Sequence, residues 1–195
     1  MMSTEKLRLA VIIGSVREGR FGPTAANWFA AEARQRTDLA VDVIDLADEQ
    51  LPHVLSATPA PETVQTLETL TPRLAAADAF VIVTPEYNHS FPASLKNAID
   101  WHMKQWQAKP VGFVSYGGFA GGLRAVEHLR QVFAELHAVS VRDTVSFHNV
   151  WELFGKDGQP KDTTGCNAAA KTMLDQLAWW GTALREAREK RPYQS

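Results

Sequence analysis

Three short apolar runs limit what this chain can fold into. Residues 7–13 (LRLAVII), 79–83 (AFVIV) and 111–115 (VGFVS) are rich in branched side chains and nearly free of polar ones. That is the pattern of strands buried on both faces, as in a parallel sheet. Each run breaks off into a loop of glycine, proline and small polar residues, and each loop gives way to apolar positions at helical spacing. Such a sheet needs helices on both of its faces, and right-handed crossovers between parallel strands supply them.

The remaining segments continue the alternation. Residues 41–46 (VDVIDL) and 139–145 read as two more strands, and helical patterns begin at Pro23, Pro61, Ala93, Leu123 and Asn167. The helix from Ala93 is expected to run to Met103, and residues 150–164 read as a surface loop. No repeat, low-complexity tract or linker divides the chain. The expectation is one α/β domain spanning residues 1–195, a three-layer α/β/α fold around a five-stranded parallel sheet. In such sheets ligands bind beyond the carboxyl ends of strands, near the point where strand order reverses.

Composition removes several function classes. The formal net charge is -2 and no basic run occurs, against the concentrated positive face that nucleic-acid binding needs. No apolar segment approaches the roughly 18 residues of a membrane span, and the N-terminal stretch lacks an h-region with a cleavage site. The single cysteine, Cys166, has no internal disulfide partner, which fits a reducing cytoplasm. His53, His102, His128, His137 and His148 are scattered without metal-ligand spacing, so no metal site is expected.

Three loops carry the chemistry. The first, residues 14–22 (GSVREGRFG), lies between a strand and a helix N-terminus, where backbone N–H groups and the helix dipole favour an anion. Ser15 adds a hydroxyl, and Arg17 or Arg20 a guanidinium suited to phosphate. A glycine-rich turn with solvated arginines is the competing reading. Neither a G-x-G-x-x-G fingerprint nor a P-loop motif is present. The second loop places an acid, a phenol, an amide, an imidazole and a hydroxyl in consecutive positions, Glu86, Tyr87, Asn88, His89 and Ser90, between Pro85 and Pro92. The third, residues 115–122 (SYGGFAGG), has glycines where a backbone could approach a flat ligand.

Together GSVREGR at 14–20, PEYNHSFPASLKNAIDW at 85–101 and SYGGFAGG at 115–122 resemble the three FMN-binding loops of the NADPH-dependent FMN reductase family. Its members include flavodoxin-like quinone, azo-dye and chromate reductases. The resemblance implies the sheet order 2-1-3-4-5 and FMN as cofactor, with NAD(P)H as cosubstrate and a quinone or similar small acceptor. It implies that Ser15, Arg17, Arg20, Phe21 and Gly22 hold the FMN phosphate. Pro85, Glu86, Tyr87, Asn88 and Ser90 would line the ribityl chain and isoalloxazine, and Ser115, Tyr116, Gly117 and Gly118 would face the ring's polar edge. His89 stands where many members have glycine or another small residue, and no role is assigned to it. The flavin carries the redox chemistry, so no catalytic side chain is named. The family also implies a homodimer or homotetramer. Trp101, Trp106 and Met103 are candidates for core or interface, while Trp179 and Trp180 are expected in the core. A flavodoxin-type electron carrier without intrinsic NAD(P)H oxidation is the alternative; such carriers are strongly acidic around the flavin, unlike a loop set bearing Arg17, Arg20, Lys96 and Arg124.

Overall fold

A computed structural model describes residues 5–194. Its strands are β1 (Leu7–Ile13), β2 (Leu39–Asp45), β3 (Ala79–Pro85), β4 (Pro110–Tyr116), β5 (Val139–Ser140) and β6 (Val145–Phe147). The helices are α1 (Gly22–Arg34), α2 (Pro61–Ala76), α3 (Ala93–Asp100), α4 (Leu123–Glu135) and α5 (Thr163–Lys190). Every strand pair is parallel, and the order is β2-β1-β3-β4-β5, the order that the family resemblance implies.

Period-two alternation sorts the strand side chains into two cores. Leu9, Val11 and Ile13 of β1, with Val81 and Val83 of β3, pack with Trp28 and Phe29 of α1 and Met173 and Leu177 of α5. Ala10 and Ile12, with Phe80 and Ile82, pack on the other face with Leu70, Leu95, Leu129 and Phe133 from α2, α3 and α4. Residues on both faces of β1 and β3 are therefore buried, which is why those strands read as unbroken apolar runs.

Three expectations change. The last strand is split: β5 pairs with β4 at Pro110 and Val111, and β6 pairs with β4 again from Val114 to Tyr116. Between them Arg130 donates to the carbonyls of Val141 and Arg142, and Gln176 bonds Asp143, so local side chains take over part of the backbone pairing there. The helix from Ala93 ends at Asp100, where Trp101 and His102 close a turn and the buried Trp106 donates its indole N–H to the Ile99 carbonyl. Residues 150–164 are not merely a surface loop, because they contain a 3-10 turn (Val150–Glu152) and send Val150 and Phe154 into the core beside Trp28 and Phe147.

Trp179 and Trp180 also depart from expectation. The buried stripe of α5 is Ala170, Met173, Leu174, Leu177 and Gly181, spacing that leaves positions 179 and 180 off the sheet. They are 65% and 38% exposed and stack edge-on at 4.9 Å. No helix among the described residues is long and apolar enough to cross a membrane.

Candidate active site

β1, β3 and β4 are neighbours in the sheet, so the three distinctive loops emerge side by side from its carboxyl edge, with the order reversal between β1 and β3 beneath them. Hydrogen bonds join the loops into one surface. The Gly14 amide donates to Val83 O at 2.9 Å, Ser94 Oγ to Gly14 O at 2.7 Å, and the Glu86 amide to Tyr116 O at 3.2 Å. Ser15 Oγ and the Tyr87 hydroxyl lie 2.6 Å apart, tying the first loop to the second.

The first loop ends in α1, whose preceding N-cap residue Phe21 supplies no side-chain hydrogen bond and whose first turn holds no acid. Pro23 has no N–H and the Thr24 amide bonds Phe21 O at 3.0 Å, so the Gly22 amide is the helix's own leading donor toward an anion. Gly22 is needed for space: a Cβ there would lie 2.9 Å from Ile13 and 3.0 Å from the Tyr116 hydroxyl. The two arginines divide. Arg20 is half-buried, bonds both oxygens of Asp45 and also donates to Ser15 O at 2.6 Å. That carboxylate raises its pKa further and fixes the guanidinium behind the loop. Arg17 is exposed and carries no ion pair among the described residues. Phe21 packs on Tyr116 and Phe154, holding the loop against the core.

The second loop is a tight reversal. Tyr87 and Ser90 exchange backbone hydrogen bonds, N to O at 2.8 and 3.1 Å, and the two residues between them, Asn88 and His89, have φ of 48° and 75°. A two-residue turn with both central φ positive favours Asn at the first position and glycine at the second. His89 thus occupies a position where glycine has no steric penalty. Its ring faces that of His128 at 6.1 Å, and Ser90 Oγ lies 3.0 Å from His128 Nδ1. Glu86, mostly buried, accepts from both the backbone amide and the guanidinium of Arg124 in the first turn of α4, a charge-assisted contact at a helix N-terminus.

The third loop is folded back on itself. Ser115 and Ser146 both donate to Gly121 O at 2.8 Å, and the amides of Asn149 and Val150 donate to Gly118 O and Gly117 O. Gly121 and Gly122 have φ of 58° and 85°, and a Cβ on Gly122 would lie 2.7 Å from Ser115 and 2.9 Å from the Tyr116 amide. Ser115, wholly buried, works behind the loop and holds it closed. Tyr116 points the other way, toward α1; burial pushes its pKa well up, and its hydroxyl lies beside Ser15 and the Gly22 backbone without meeting either in hydrogen-bond geometry.

All of Ser15, Arg17, Arg20, Phe21, Gly22, Pro85, Glu86, Tyr87, Asn88, Ser90, Ser115, Tyr116, Gly117 and Gly118 fall at this one edge. Sequence reasoning missed Asp45, which anchors Arg20, and His128, which sits four residues after the expected Arg124 on α4; the two meet Ser90 and Glu86 respectively. Helical spacing is the signal that would have put those two on one face. Trp151 was missed as well: it is 67% exposed and its ring covers Gly118. No group of His, Cys, Asp or Glu among the described residues could hold a metal ion.

Residues 7–152 match the model of the family described as NADPH-dependent FMN reductase. A 2-hydroxy-1,4-benzoquinone reductase of a Burkholderia species is 34% identical over 187 residues, 89% of this chain and 96% of that protein. An NAD(P)H-dependent FMN reductase of Schizosaccharomyces pombe is 38% identical over 122 residues, 59% of this chain and 60% of that protein, so the chain spans less than two thirds of that relative. Among solved structures, the flavoenzyme NAD(P)H:(acceptor) oxidoreductase FerB of Paracoccus denitrificans superposes with a TM-score of 0.70 at 23% identity, covering 90% of this chain and 97% of that one, a likeness of fold.

Proposed function

The chain belongs to the NADPH-dependent FMN reductase family, and we propose that its three-loop edge binds FMN and that the protein oxidises NAD(P)H to reduce quinones or similar small acceptors. The observation that carries the reading is the first loop. The loop brings an uncapped helix N-terminus, an Arg17 without an ion pair and the Ser15 hydroxyl into one short segment, and Gly22 leaves no side chain at the helix start. This donor set fits a phosphate. The closed backbone of Gly117 and Gly118 gives a flat ring a surface to approach.

In this reading Ser15, Arg17 and the backbone of Phe21 and Gly22 hold the phosphate, and Arg20 braces the loop through Asp45. Pro85, Glu86, Tyr87, Asn88 and Ser90 line the ribityl chain and ring. Gly117, Gly118 and the backbone of Tyr116 frame the ring's polar edge, and Ser115 holds that loop closed from behind through Gly121 O. FMN, when bound, supplies the redox chemistry, accepting hydride from NAD(P)H and delivering electrons to the acceptor. The chain's own task is to orient the ring and to place N–H groups and Asn88 where negative charge gathers.

The described chain would serve as one FMN-binding domain in a cytoplasmic homodimer or homotetramer. Exposed Met103, Trp179 and Trp180 support the assembly, and the lone Cys166 supports the compartment. A steady-state assay tests the function. FMN-loaded protein is expected to oxidise NADPH or NADH with menadione or ferricyanide as acceptor. Absence of turnover with both nucleotides would leave an electron carrier in its place.

A further inference from the structure

Tyr116 is 5% exposed, and its hydroxyl is one of two buried side-chain polar atoms that lack a hydrogen bond among the described residues. Leaving such a group unpaired forfeits its hydration without return, so a native structure keeps one for a reason. Its direction supplies the reason. β4 alternates its side chains across the sheet, and Tyr116 falls on the α1 face, where its ring packs against Phe21. The hydroxyl ends 3.0 Å from where a Gly22 Cβ would stand, at the first residue of the uncapped α1. Ser15 and the Gly22 backbone are its nearest polar neighbours, with Tyr87 and Arg20 beyond, but neither meets the hydroxyl in hydrogen-bond geometry; Ser15 Oγ is engaged by Tyr87 and Arg20 by Asp45. The helix start thus has a buried donor aimed into it that meets no partner in hydrogen-bond geometry, in addition to the Gly22 amide.

We propose that the Tyr116 hydroxyl donates a hydrogen bond to the phosphate of the flavin cofactor, so that its side chain belongs to the phosphate end of the cradle and not to the ring end. This rests on the reading of the first loop as the phosphate site. The hydroxyl remains protonated across the physiological range because burial opposes the phenolate, so it can only donate to a phosphate dianion. Gly22 follows from the same geometry: any side chain there would fill the space between hydroxyl and ligand.

Binding of FMN and of riboflavin, which lacks the phosphate, to the cofactor-free protein separates the possibilities. Wild type should prefer FMN strongly. Tyr116→Phe should weaken FMN by about one to two orders of magnitude and leave riboflavin unchanged, while the unfolding midpoint of the cofactor-free variant stays level or rises, because an unpaired buried hydroxyl has been removed. A Tyr116→Phe protein with wild-type FMN affinity, or one that loses FMN and riboflavin equally, overturns the assignment while the phosphate site stands. Equal affinity of wild type for FMN and riboflavin removes the phosphate site itself, and the assignment with it.

Discussion

Arg17 and Arg20 are three residues apart in one loop, yet their surroundings give them different work. Arg20 is held by both oxygens of Asp45, whereas Arg17 reaches the edge without an ionic partner. Arg17→Ala is expected to raise the FMN dissociation constant by about one to two orders of magnitude; flavin retained unchanged through gel filtration would take Arg17 out of the site. Lys96 and Arg124 are likewise paired, with Asp100 and Glu86, so the cationic character of this edge rests on Arg17. At the turn, Asn88→Asp should lower the flavin reduction potential by adding negative charge beside the ring, and an unaltered potential would put Asn88 elsewhere. His89 was legible as a departure from a glycine pattern but not as a backbone position. Its φ of 75° is information that a string of residue names does not carry. His89→Gly relieves that strain and should raise stability by about 0.5–1 kcal/mol in urea unfolding; a loss of stability would show that the ring contact with His128 outweighs the backbone term.

At the level of elements, β1, β3 and β4 and the helices beside them were readable because burial on both faces leaves a plain pattern. The last strand was not, since its interruption depends on where Arg130 of the preceding helix and Gln176 of the following one come to lie in the fold. The tryptophan pair of α5 failed for a related reason: residue type suggested core, but the helix's own stripe runs through Leu177 and Gly181. The C-terminus of α2 shows a tertiary device equally hidden. Lys109, 6% exposed, donates its ammonium to the Leu74 and Ala75 carbonyls, and burial, aided by Arg188 and opposed by Asp78, pushes its pKa down from 10.5 to about 8. Above pH 8 the folded chain releases this proton while the unfolded chain keeps it until near 10.5. The unfolded state then binds more protons, so this group's contribution to stability rises with pH across that window and is least below it. The unfolding free energy of wild type minus that of Lys109→Met should therefore increase by up to about 3 kcal/mol from the lower to the higher limit. A flat difference would show that the ammonium is not held in this environment.

Across the whole molecule, the sheet order brings three loops widely separated in sequence to one edge, and hydrogen bonds such as Ser15 with Tyr87 and Glu86 with Tyr116 knit them together. Loop identity was legible from local composition. Their adjacency was not, because spacing alone says nothing of strand order. The direction of Tyr116 was hidden too, since it depends on which face of β4 its position takes. This edge is proposed to use bound FMN to take reducing equivalents from a nicotinamide nucleotide. The most direct measurement is anaerobic rapid mixing of FMN-loaded protein with NADPH and, separately, NADH, followed through the visible flavin band. The expected result is bleaching by at least one of the two and recovery of the band on adding menadione. A flavin that dithionite bleaches but neither nucleotide does would contradict the claim.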